Sequence, residues 1–144
     1  MTRITTHRSD EDEGSVRLPQ ARLTRAIIGT FYDVYNELGY GFLESVYRSA
    51  LQIVLAERNF PLQSEAPLAI HFHGHRIGAY RADLIVDEQV IIEVKAGAVL
   101  AAGAKAQLIN YLRMSNLTVG LLLYFGPTPE FHRVIASRRE SENA

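Results

Sequence analysis

The sequence predicts an α/β fold in which a mixed β-sheet is flanked by helices, on three observations. Two early segments repeat apolar residues at spacings of three and four, the period of a helix with one buried face. Residues 66–96 then carry apolar-rich runs separated by turn-forming clusters, as a meander of strands does. Finally, a helical pattern over 102–114 separates that meander from a nearly all-apolar run over 118–125, as expected for a strand covered on both faces.

Taken in order, residues 18–38 place Leu23, Ile27, Phe31, Val34 and Leu38 on one stripe, ended by Gly39. Gly39-Tyr40-Gly41 allows a sharp turn into a second helix, from about 42 to 59, whose expected buried stripe is Val46, Ala50, Leu51, Val54 and Leu55. Residues 66–72, 77–86 and 89–95 read as three strands, with residues 73–76 as the first turn. Helix 102–114 turns Leu108 and Leu112 inward. Gly126-Pro127-Thr128-Pro129 stops the strand at 118–125, and a last short strand covers 131–136. A connection from one strand through that helix to the next makes the two parallel, with right-handed crossover expected.

With 144 residues, 47% hydrophobic and 22% charged, the chain suits a single domain over residues 17–137. Residues 1–16 form an expected disordered acidic arm and 138–144 a polar tail. There is no cysteine, which excludes disulfides, thiolate nucleophiles, iron–sulfur clusters and cysteine zinc sites. No segment is apolar and long enough to span a bilayer, and the opening residues carry no apolar core of a signal peptide. A cytoplasmic protein without membrane contact is therefore expected. A formal net charge of -1 supplies no overall attraction to nucleic acid, so such binding needs a local basic patch or metal ions.

Residues 80–96 hold the chemistry. Asp83, Glu93 and Lys95 interrupt two otherwise apolar strands, where a charge must be paired, metal-bound or exposed at a cleft. Glu93 and Lys95 are two apart and share a face, while Val94 points the other way. A two-residue loop at Asp87-Glu88 would set Asp83 against Ile92, on the wrong side. A three-residue loop through Asp87, Glu88 and Gln89 sets Asp83 against Glu93, and this register is expected.

Plain structural roles exist for each element. Glu44, in a helix first turn, favours the helix dipole. Lys95 paired with Asp83 or Glu93 makes an ordinary salt bridge. His71, His73 and His75 alternate, but they span a turn, where solvated histidines are common. Arg76, Arg81 and Lys105 serve either as a basic patch or as dispersed surface charge.

Together, Gly41-x-x-Glu44-x-x-Tyr47, Asp83, Glu93-x-Lys95 and Gln107-x-x-x-Tyr111 resemble the PD-(D/E)XK nuclease superfamily, with its restriction-endonuclease-like core. Within it the 41–47 segment resembles the GxxExxY family, and the motif order is similar to RecB-type nucleases and lambda exonuclease. The resemblance spans about 22–135. It departs at Tyr124, where that family usually has asparagine.

The resemblance implies a metal-dependent hydrolase of phosphodiester bonds in nucleic acid, with DNA as the expected polymer and a homodimer allowed. Asp83 and Glu93, with the Val94 carbonyl and Glu44, would hold Mg²⁺ or Mn²⁺, whose preference for hard oxygen ligands fits. Glu44, Asp83, Glu93 and Lys95 form the implied catalytic set. Gln107, Tyr111 and Tyr47 are the implied substrate contacts. Two rivals stay open: a non-catalytic binding or assembly module on the same fold, and a hydrolase of small phosphorylated compounds.

Overall fold

The computed structural model describes residues 20–136; the expected N-terminal arm and polar tail lie outside the described residues. Helix α1 (Ala21–Leu38) and helix α2 (Glu44–Glu57) precede strands β1 (Leu62–Phe72), β2 (His75–Val86) and β3 (Val90–Ala96). Helix α3 (Ala104–Arg113) then leads to β4 (Val119–Phe125) and β5 (Pro129–Ile135). The five-stranded sheet runs in sequence order, β1-β2-β3-β4-β5. All neighbouring pairs are antiparallel except β3 and β4, which the α3 crossover makes parallel.

Two apolar layers sandwich the sheet. On one side Ile27, Phe31 and Val34 of α1 and Leu51 and Leu55 of α2 pack on Val90, Ile92 and Val94 of β3 and on Leu121, Leu123 and Phe125 of β4. On the other side Leu108 and Leu112 of α3 cover Ile91, Leu122 and Ala82. The near-continuous apolar run of β4, buried at every position, follows from this double cover. Gly120 is the close-approach point, since a Cβ there would lie 3.2 Å from Leu108 and Leu112.

Helix α1 stops where Gly39 takes φ 78° and donates its amide to the Tyr35 carbonyl at 2.8 Å. Gly41, at φ 119°, completes the turn. Helix α2 is rotated from its expected stripe: Val46 is 38% exposed and Tyr47 is fully buried. The physical reason is the Tyr47 ring, which stacks on Phe125 with centroids 4.2 Å apart.

The hairpin from β2 to β3 adopts the expected three-residue loop, with Val86, Ile85 and Leu84 opposite Val90, Ile91 and Ile92. Asp87 and Glu88 are both left-handed, at φ 54° and 56°, and the Gln89 amide donates to the Val86 carbonyl at 2.9 Å. The first hairpin is tighter than expected. His73 and Gly74 alone form its turn, so His75 and Arg76 belong to β2 and pair with Phe72 and His71. Gly74 at φ 79° and His73 at φ 51° explain this, since a two-residue hairpin turn takes two positive φ values.

One irregularity positions the site. Ala82 packs on the α3 side but Leu84, two residues later, packs on the opposite side. The β1–β2 register is the same before and after this point, with Ala66 opposite Ala82 and Ser64 opposite Leu84. No residue is inserted; the ribbon twists sharply at Asp83 and at the facing Glu65, whose φ is 51°.

Candidate active site

Just past the Leu84–Ile92 pair the β2–β3 ladder ends, and the backbone groups of β3 need other partners. Asp83 supplies one, its Oδ2 accepting the Val94 amide at 2.7 Å. Its Oδ1 accepts from the Arg48 guanidinium at 3.4 Å. A third residue of the cluster comes from α2. Glu44 Oε2 accepts the Ala96 amide at 3.4 Å, bringing the first turn of the helix against the end of β3.

Glu93 and Lys95 lie together on the α3 side of β3, with Lys95 Nζ 3.8 Å from Glu93 Oε2. The other carboxyl oxygen, Oε1, accepts from the Tyr80 hydroxyl. Burial pushes the Glu93 carboxyl up to about 7, against the lowering effect of the Tyr80 hydrogen bond. The Asp83 charge raises it further, Lys95 lowers it, and Glu44 raises it. Asp83 and Glu44 are therefore each close enough to repel the Glu93 carboxylate, and three carboxylates share the two cations Arg48 and Lys95. Burial, followed by the Glu93 charge, likewise holds the Tyr80 phenol above its ordinary range.

Helix α3 closes this side. Gln107 Nε2 donates to the Tyr111 hydroxyl at 3.4 Å, the i,i+4 relation expected on one helix face. The Tyr111 ring stacks on Tyr80, with centroids 3.6 Å apart and planes 10° from parallel. Beside Lys95 on the neighbouring strand, Tyr124 donates to the Gly97 carbonyl at 2.6 Å and so fixes the chain as it leaves β3. A cleft of about 540 Å³ opens beside Glu44, between Phe42, Arg48, Ala96 and Gly97. A wider cleft of about 640 Å³ borders Ala21, Leu23, Phe60 and Asp87 and contains none of the expected site residues.

The structure thus brings Glu44, Asp83, Glu93, Val94 and Lys95 to one place, with Gln107 and Tyr111 reaching it through Tyr80. Tyr47 departs from its expected role as a substrate contact. It is fully buried, donates to the Gly39 carbonyl at 2.5 Å and accepts the Phe42 amide at 3.2 Å, so it shapes the loop before Glu44 from inside the core.

His71, His73 and His75 are exposed along the first hairpin. Among the described residues no three histidine, aspartate or glutamate side chains converge into a group able to hold a metal ion as placed. The donor set nonetheless suits a hard divalent cation in kind: carboxylates crowded at a strand end, one of them driven towards neutrality by burial and by two like charges.

Two residues escaped the sequence reading. Arg48 follows Glu44 by four positions, so the shared helix face was a usable signal. Tyr80 opens the charged segment, but nothing in its spacing points to Glu93, because the twist at Asp83 decides which side it faces.

Comparison with known proteins bears on the fold and the family. The crystal structure of SSO0001 superposes with a TM-score of 0.51 at 22% identity, covering 85% of this chain and 63% of that one; the likeness is one of fold, and this chain spans less than two thirds of that protein's length. No curated protein matches the chain significantly. The family model of the PD-(D/E)XK nuclease superfamily matches residues 21–134. With the mixed sheet and the Asp83, Glu93-x-Lys95 strand pair in place across that span, the chain belongs to the PD-(D/E)XK nuclease superfamily.

Proposed function

We propose that the protein is a metal-dependent nuclease that hydrolyses phosphodiester bonds in nucleic acid, with DNA as the preferred polymer. The observation that carries this reading is the gathering of Asp83, Glu93 and Glu44 at the split end of β2 and β3, where burial first, and then the Asp83 and Glu44 charges, push the Glu93 carboxyl up to about 7. A half-buried acidic cluster of this kind calls for a cation.

Asp83 and Glu93 would hold Mg²⁺ or Mn²⁺, with the Val94 carbonyl and Glu44 as further oxygen donors. When bound, such an ion polarises the scissile phosphate and acidifies a water. Lys95 orients the attacking water or offsets charge growing on the phosphate. Arg48, already on Asp83, sits at the cleft where a neighbouring phosphate would enter. The 41–47 segment supports placement in the GxxExxY branch, and a cytoplasmic homodimer is the form we propose.

One observation favours a second reading, a non-catalytic binding or assembly module. Each site carboxylate already has protein partners, and Leu43 and Val99 beside the strand end are 75% and 81% exposed, an apolar lip suited to a partner.

Incubation with single- and double-stranded DNA and RNA, with Mg²⁺, Mn²⁺ or chelator, decides between them. The nuclease reading expects cleavage that chelator abolishes and that Asp83→Asn and Lys95→Ala each reduce at least about a hundredfold. Equal survival of every substrate with wild type and variants would leave the module.

A further inference from the structure

We propose that Tyr80 is a positioning residue for Glu93: its hydroxyl holds the carboxylate until a divalent cation takes the same oxygen, and Gln107 and Tyr111 act on the site through Tyr80. This rests on the nuclease reading above. Glu93 Oε1 accepts the Tyr80 hydroxyl and Oε2 faces the Lys95 ammonium at 3.8 Å, so a cation that takes Oε1 competes with Tyr80 for the electron density of that oxygen. Lys95 is charged and compensates the carboxylate; the phenol only donates a hydrogen bond. Tyr80 is therefore the group that shares Oε1 with an incoming cation.

The rest of the arrangement keeps Tyr80 in place. Tyr80 lies beyond the end of the β2–β3 ladder, where its side chain replaces backbone pairing as the tie between the two strands. Its ring is fixed by the near-parallel stack on Tyr111, an arrangement that contributes beyond simple burial. The Tyr111 hydroxyl is in turn engaged by Gln107. One face of the Tyr111 ring is thus covered by Tyr80. The two α3 residues reach the carboxylate by a continuous path: Gln107 to Tyr111, Tyr111 to Tyr80, Tyr80 to Glu93.

Four variants of the full chain test this. In chelator, Tyr80→Phe, Glu93→Ala and the double variant form a thermal-stability cycle, which reads the hydroxyl–carboxylate bond without any metal. The expected shifts in Tm are non-additive by several degrees; additive shifts overturn the proposal. Calorimetric titration with Mn²⁺ then compares wild type with Tyr80→Phe, which keeps the ring stack. Removing a hydrogen bond to a charged group is expected to tighten Mn²⁺ binding roughly tenfold. Tyr111→Ala, which frees the Tyr80 ring, is expected to shift affinity in the same direction. Unchanged or weaker binding by Tyr80→Phe overturns the proposal and leaves the nuclease reading intact. Absence of Mn²⁺ binding in wild type and Tyr80→Phe alike overturns the cation reading and this proposal together.

Discussion

The Asp83 carboxylate accepts the Val94 amide at 2.7 Å, one step beyond the last β2–β3 pair. A side chain thus takes over from a backbone where the strands part, and the same residue opens the site and closes the ladder. Val94 is 1% exposed, so its amide has no access to water. Asp83→Ala is expected to cost about 1–3 kcal/mol, the penalty of an orphaned buried donor. Asp83→Asn keeps an acceptor oxygen and should retain most of that stability while losing the charge. Urea unfolding beside a cleavage assay checks the split: a stable Asn variant without activity is the expected outcome.

Glu93 links stability to pH. Its carboxyl is raised to about 7 from an ordinary value of 4.5, so the folded state holds the proton more tightly than the unfolded chain. The sign follows: this contribution is fully present below pH 4.5 and is lost as pH rises through 7. The loss is on the order of 3 kcal/mol at 1.36 kcal/mol per unit. Glu93→Gln is expected to flatten that part of the stability–pH curve and to be more stable than wild type at pH 8. Denaturant midpoints from pH 4 to 8 in chelator give the measurement.

Tyr47 should behave as a core residue. Tyr47→Phe keeps the stack on Phe125 and leaves the Gly39 carbonyl and Phe42 amide without their hydroxyl partner, for an expected loss of about 1–2 kcal/mol. Tyr47→Ala should cost about 3–5 kcal/mol. Neither acts by contact with substrate, so KM for nucleic acid measured on folded Tyr47→Phe is expected to match wild type.

The turn at Asp87 and Glu88 stores removable strain. Both residues are left-handed, a conformation that costs an L-residue about 1 kcal/mol and glycine almost nothing. Glu88→Gly is expected to raise stability by about 0.5–1 kcal/mol, read as a higher Tm with unchanged cleavage.

Tyr124 and Gly126 form a matched pair. A Cβ at Gly126 would lie 2.4 Å from the Tyr124 ring, so Gly126→Ala forces that ring off the Gly97 carbonyl it bonds at 2.6 Å. The expected cost is about 1–3 kcal/mol, relieved when Tyr124→Ala is added. A double-mutant cycle in urea reads the coupling.

Periodicity determined the order of elements, the inward Leu108 and Leu112 and the doubly covered β4, and the length of one loop determined the hairpin register that carries Asp83 towards Glu93. These are local properties: a period of two or 3.6 residues and the length of one loop are written in neighbouring residues. Tertiary structure alone decided that Tyr47 points inward while Val46 faces out, because the rotation of α2 is set by docking on Phe125, which lies far along the chain. It also decided the twist at Asp83 that turns Tyr80 towards Glu93, and the stack that ties α3 to both. Such contacts depend on how the sheet bends and how a helix settles across it, and those are set by the packing of the whole core.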